Sequence, residues 1–123
     1  MEWTVKKKKA VADSYIEISA GRIGEDILLC VEGGDKPHIG SVVQAVPRLS
    51  LTGDGSPSTT ASVLNLTGHK DEYICRKLAE KVCIDLGVVT VCTGGFHIDG
   101  MTKEQIRAVV QATEEIAEEI VKF

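Results

Sequence analysis

Arg48 lies in the segment Pro47-Arg48-Leu49-Ser50-Leu51-Thr52-Gly53-Asp54-Gly55-Ser56-Pro57-Ser58-Thr59, where one guanidinium is set among hydroxyls and glycines. That mixture suits a ligand carrying phosphate and hydroxyl groups. A guanidinium fork matches phosphate oxygens, and glycine lets backbone amides approach them. An ordinary polar Ω-loop has the same composition. The second candidate is Thr67-Gly68-His69-Lys70-Asp71, at the start of a helical stretch. Unpaired amides and the partial positive charge of a helix N-terminus stabilise an anion there, and Lys70 adds a full charge. The pattern falls short of the GxxxxGK[ST] phosphate loop, and Asp71 is explained locally by the helix dipole.

His38, His69 and His97 each stand beside a glycine-containing turn. His97 and Asp99, two residues apart, have a spacing compatible with metal ligation; a histidine that bonds a turn backbone or faces solvent fits equally well. A hydrolase would pair one of Ser41, Ser50, Ser58 or Ser62 with a histidine, but no G-x-S-x-G elbow is present and Gly53-Asp54-Gly55 is too short for a dinucleotide fingerprint. A binding module accounts for polar loops and glycines without a reaction. The expectation is therefore no catalytic residue and no metal, with a small metal- or His/Asp-dependent hydrolase as the alternative.

Strands and two helices have to position these residues. Trp3 to Val11 reads as a first strand with lysines on both faces, as on a solvated edge. Tyr15 to Ser19 alternates as a half-buried strand does. Ile27 to Val31 is continuously apolar, which predicts a central strand covered on both sides. Ile39 to Val46 is a strand closed by Pro47, and Thr60 to Leu66 is a fifth; the 47–59 connection between them is longer than the ~2 to 5 residues of ordinary hairpins. Ile74, Leu78 and Val82 recur at helical spacing, so a helix runs from near Gly68 to Leu86 and stops at Gly87. Val88 to Cys92 is a short buried strand. Thr102 and Gln105 make a capping box that opens the last helix, with Glu114, Glu115, Glu118 and Glu119 on its outer face. The fold class is α+β: a mainly antiparallel sheet of about six strands with two helices packed on one face.

At 123 residues the chain is read as a single domain, 1–123. With 43% hydrophobic and 26% charged residues it has a globular composition. A net charge of −4 gives no overall attraction to nucleic acid or an anionic bilayer. No window approaches the ~20 apolar residues of a membrane span, and Lys6 to Lys9 are not followed by a signal peptide's apolar stretch, so a cytoplasmic protein is expected. Cys30, Cys75, Cys83 and Cys92 sit in apolar contexts without a CxxC pair, as buried thiols do; two disulfides are allowed by number alone.

Several motifs occur in order: His38-Ile39-Gly40-Ser41, Ala45-Val46-Pro47-Arg48 running to Gly53-Asp54-Gly55, Ser62-Val63-Leu64-Asn65-Leu66-Thr67-Gly68-His69-Lys70-Asp71, and Gly95-Phe96-His97-Ile98-Asp99. This series resembles the LpdD family, small proteins that accompany gallate-type and other UbiD-like decarboxylases, and the resemblance covers nearly the whole chain. It implies a non-catalytic, homodimeric chaperone with a fold similar to proteasome-assembly chaperones. Such a chaperone binds reduced prenylated FMN and assists its delivery to an apo UbiD-like decarboxylase. For that ligand, Arg48, Lys70 and the amides of Gly68 and His69 suit the phosphate, while Ser41, Thr60 or Asn65 suit the ribityl hydroxyls. Val42, Phe96 and Ile98 suit the ring plane, with His97 in the same cofactor-binding set. Aromatic residues are only 4% of the chain, which makes a largely aliphatic ring pocket the expectation. A plain assembly subunit that binds the decarboxylase without cofactor is the remaining alternative.

Overall fold

A computed structural model of the chain describes residues 1–65 and 69–122, with the side chains of His69 and Lys70 left aside. Six strands, β1 (Trp3–Val11), β2 (Ser14–Ile23), β3 (Asp26–Gly33), β4 (Ser41–Leu49), β5 (Pro57–Asn65) and β6 (Thr90–Gly94), form one sheet. Helix α1 (His69–Leu86) precedes β6 and helix α2 (Lys103–Ile120) follows it. The strand order is β1-β2-β3-β6-β4-β5. β6 runs parallel to β3 and antiparallel to β4, and the other neighbouring pairs are antiparallel. This is the α+β sheet with two helices read from the sequence.

Alternation along the strands decides what the helices cover. Ile16, Ile18, Ala20, Ile27, Leu29, Val31, Val43, Ala45 and Cys92 are buried on one sheet face and form a single cluster with residues from both helices. From α1 come Ile74, Cys75, Leu78, Ala79, Val82 and Cys83; from α2 come Val109, Ala112, Ile116, Ala117 and Ile120. Removing these side chains from water is the main stabilising term, at about 25 cal/mol per Å² of apolar surface. Gly87, at φ +67°, ends α1 and donates its amide to Cys83. At the start of α2, Thr102 accepts from the Gln105 amide while the Gln105 side chain accepts from the Thr102 amide, as the sequence predicts. Thr102→Ala is expected to cost about 1 kcal/mol. In thermal denaturation the melting temperature should drop by roughly 3 to 5 °C; no drop would mean that solvent serves these amides equally well.

Three expectations need correction. β4 does not stop at Pro47: it continues to Leu49, pairing Pro47 with Thr59. β6 begins opposite Ala45, so the proline sits where β4 has a neighbour on one side only and interrupts no second ladder. The long connection accordingly shrinks to Ser50–Ser56, between the ends of β4 and β5. Finally, β3 is not covered on both sides. Ile27, Leu29 and Val31 are buried under the helices, whereas Leu28 and Cys30 are half-buried on the open face, because both helices lie on the same side of the sheet.

The lysine-rich β1 is an edge strand, as expected. Lys9 reaches Glu115 at 2.7 Å and Lys7 reaches Glu119 at 3.9 Å, tying the edge to α2. The hydrogen bond from Lys9 holds the Glu115 carboxyl below its ordinary range. All four cysteines are free; Cys75, Cys83 and Cys92 are buried and Cys30 is half-buried.

Candidate functional site

The N-terminal end of β4, the C-terminal ends of β3, β5 and β6, and the first turn of α1 meet at one end of the sheet. Glycine makes the meeting close. Gly94 has φ +126°, and a Cβ there would overlap the carbonyl of Val31. A Cβ on Gly40 would overlap Asp71 Oδ2. On Gly95 it would come within 2.9 Å of the His38 ring and 3.0 Å of the Asp71 carboxylate.

Asp71 is at the centre of this end and is 5% exposed. Its Oδ1 accepts the Phe96 amide at 2.8 Å, and its Oδ2 lies 2.9 Å from His38 Nε2. His38 Nδ1 lies 2.9 Å from the Lys36 carbonyl oxygen, so an acceptor faces each ring nitrogen and both contacts are hydrogen bonds when both nitrogens carry protons. One carboxylate thus fastens three separate pieces of chain: the 36–40 segment, the turn after β6 and the start of α1. Helix-dipole stabilisation, the local reason for an aspartate at that position, is a smaller effect than this set of charge-assisted bonds. The pair is invisible in the sequence, since a contact across 33 positions leaves no local pattern. The only hint was that His38-Ile39-Gly40 and Gly95-Phe96-His97 both combine a histidine with a glycine.

The residues expected to bind cofactor separate into groups. Ser41 and Asn65 come together, since Ser41 Oγ donates to Asn65 Oδ1 at 2.9 Å and Asn65 Nδ2 donates to Glu72 at 2.6 Å. Ser41 is 1% exposed, so its hydroxyl is spent inside the fold rather than offered to a ribityl chain. Phe96 is 2% exposed and belongs to the hydrophobic core, which removes it as a cover for a ring plane. His97 stands at the same end, exposed, with Nε2 2.7 Å from Asp99 and its ring edge-on to His38 at 6.2 Å between centroids. Gly68 and the side chains of His69 and Lys70 lie outside the described residues; the backbone of the latter two begins α1, next to Asp71.

Arg48 and Thr60 are elsewhere. Arg48 Nε donates to Thr60 Oγ1 at 2.8 Å near the opposite end of β4 and β5. At ~3.3 Å per residue that is roughly 23 Å from Ser41, too far to share a phosphate with the start of α1 in one chain. The Ser50–Ser56 turn also closes on itself: Ser50 N donates to Ser56 O at 2.8 Å, and Ser56 Oγ donates to Asp54 at 2.6 Å. The Ser56 hydroxyl holds the Asp54 carboxyl below its ordinary range, so this turn carries a negative charge rather than an anion seat.

Among the described residues no three metal-ligating side chains converge, and no hydroxyl or thiol is hydrogen-bonded to His38. No described helix is long and apolar enough to cross a membrane. The chain is a small α+β domain with one polar end fastened through Asp71 and one sheet face left open by the helices. The chain belongs to the prenylated flavin chaperone LpdD-like family, whose pattern it matches over residues 10–123. It is 31% identical over 102 residues to Protein LpdD of Lactiplantibacillus plantarum, covering 82% of this chain and 71% of that one. Among solved structures it is similar to a chain of a chaperone complex for yeast 20S proteasome assembly, with a TM-score of 0.48 and 9% identity over 91% of this chain and 96% of that one.

Proposed function

We propose that this protein is a non-catalytic cytoplasmic carrier of reduced prenylated FMN that hands the cofactor to an apo UbiD-like decarboxylase. Membership of a prenylated flavin chaperone family is the observation that carries this reading. Chemistry at the polar end of the sheet supports it. The first turn of α1 supplies amides and a partial positive charge for the phosphate, the role the reading gives to Gly68, His69 and Lys70, and it gives the ribityl hydroxyls to Asn65. His97, exposed at the same end, is within reach of the same ligand. Arg48 and Thr60 stand outside this arrangement within one chain. No redox or acid-base step is asked of the carrier, which fits a histidine whose hydrogen-bond partners are a carboxylate and a carbonyl.

The carrier works as a homodimer in this reading. Val46 and Leu64 leave apolar surface exposed on the open face of β4 and β5, and a second copy is the partner that covers it. Anaerobic size-exclusion chromatography with reduced prenylated FMN tests both points in one run. The cofactor should travel with the protein, at a mass of two chains. Lys70→Ala should weaken binding by roughly ten- to a hundredfold, the loss of a charge-assisted bond worth ~1.5 to 3 kcal/mol. Cofactor that elutes entirely free would end the carrier reading, and a single-chain mass would end the dimer.

A further inference from the structure

One row of side chains crosses the open sheet face through all six strands: Lys6, Ser19, Cys30, Thr93, Val42 and Leu64. Its middle is made of small residues and its surroundings are large. Trp3 rises at the β1 side and His38 at the end of the sheet, leaving a concavity of about 340 Å³ between them. That volume lies in the ~300 to 1,000 Å³ range of small-molecule sites. We infer that this concavity, floored by Ser19, Cys30 and Thr93 and walled by Trp3, Lys6 and His38, holds the flat ring system of the carried flavin. The inference rests on the carrier reading and assigns the ring a place that the sequence had given to Val42, Phe96 and Ile98.

Four observations converge on it. The floor is weakly polar, since the Thr93 hydroxyl already donates to the Ser41 carbonyl oxygen at 3.0 Å. Burial pushes the Cys30 thiol up, followed in effect by Glu32 and Cys75, so the floor presents a neutral thiol rather than a reactive thiolate. The His38 wall is fixed in advance by Asp71 and the Lys36 carbonyl oxygen, and a pre-formed wall spares a ligand the cost of ordering it. Trp3, the chain's one tryptophan, offers a stacking surface, and the Lys6 ammonium suits the carbonyl edge of a flavin. Position supports the same conclusion. His38 touches both this concavity and the first turn of α1, so a ring held here directs its phosphate tail toward the helix start.

A larger groove between α1 and α2, about 540 Å³, lacks these features. Its lining carries the ion pair of Lys81 with Glu118 and has no aromatic residue. The apolar pocket beside Phe96 and Met101, about 90 Å³, is too small for the fused rings of a flavin.

Equilibrium binding of reduced prenylated FMN under anaerobic conditions, on wild type and Cys30→Phe, tests the assignment together with amide chemical shifts of the wild type. Cys30→Phe fills the floor and should weaken binding tenfold or more. Cofactor-induced shifts in the wild type should gather at Ser19, Cys30, Thr93 and Gly94. Wild-type binding with shifts gathered elsewhere, or a folded Cys30→Phe that binds equally well, would overturn the ring site and leave the carrier reading standing. Absence of binding to the wild type would overturn both. Should Cys30→Phe fail to fold, the wild-type shift map decides alone.

Discussion

Asp71→Ala should lower the melting temperature by roughly 10 °C, while Asp71→Asn should lower it by only a few degrees. The alanine removes a buried acceptor and leaves the Phe96 amide and one His38 nitrogen without partners. Stranding such groups costs about 2 to 4 kcal/mol, toward the low side of buried ion pairs because the His38 side chain is 38% exposed. Asparagine has nearly the same shape. Its carbonyl oxygen still accepts from Phe96, and its amide can donate to His38 Nε2 once the ring proton is on Nδ1, facing the Lys36 carbonyl oxygen. About 1 kcal/mol, the difference between a charge-assisted and a neutral hydrogen bond, is then lost. His38→Ala made in the Asp71→Ala background should add little, because the two residues act as one unit. Equal damage from alanine and asparagine would show that the charge, not the hydrogen-bond geometry, is what this end of the sheet requires. An Asp71→Ala melting temperature within measurement error of wild type would show that the 36–40 segment and the β6 turn are held by something else.

The elements of this fold were legible because their signals are local. Period-two alternation marked the strand at Tyr15 to Ser19, a continuous apolar run marked β3, Thr102 and Gln105 marked the start of α2, and Gly87 marked the end of α1. Two errors arose where a local rule depends on a neighbour. Pro47 ends a strand only if it would break a ladder, and β6 begins beyond it, opposite Ala45. The apolar run at Ile27 to Val31 implied cover on both faces, but which faces the helices choose is a tertiary fact. Site residues depended on the same distinction. Ser41 with Asn65 and Arg48 with Thr60 are real side-chain pairs, yet placing all four around one ligand required knowing that β4 carries them near opposite ends. The row through Ser19, Cys30 and Thr93 was unreadable for another reason: β6 enters the sheet between β3 and β4, out of chain order, and only then do these small residues become neighbours.

Gly94→Ala should be the most damaging of the single-methyl additions at the polar end. Two independent penalties meet there. At φ +126° an L side chain is strained by about 1 to 3 kcal/mol. The added Cβ would also overlap Val31 O, a backbone atom that accepts the Gly95 amide at 3.1 Å and so cannot move aside without losing that bond. Overpacking against such an atom adds about 1 to 3 kcal/mol. The sum, about 2 to 6 kcal/mol, is a large share of the ~5 to 15 kcal/mol that holds a typical domain together. Gly53→Ala and Gly55→Ala separate the two penalties, because both positions have positive φ, +78° and +76°, with no atom within 4 Å of the added carbon. Each should cost about 1 kcal/mol, from strain alone. Denaturant midpoints measured for all three variants test the argument. Gly94→Ala should fall well below the two turn variants, and because Gly94 pairs with both Val31 and Ser41 the damage should reach β3 and β4 together. Equal midpoints for the three would mean that β6 can shift away from Val31 at little cost, and a polar end that yields so readily could not keep His38 and Asp71 in register.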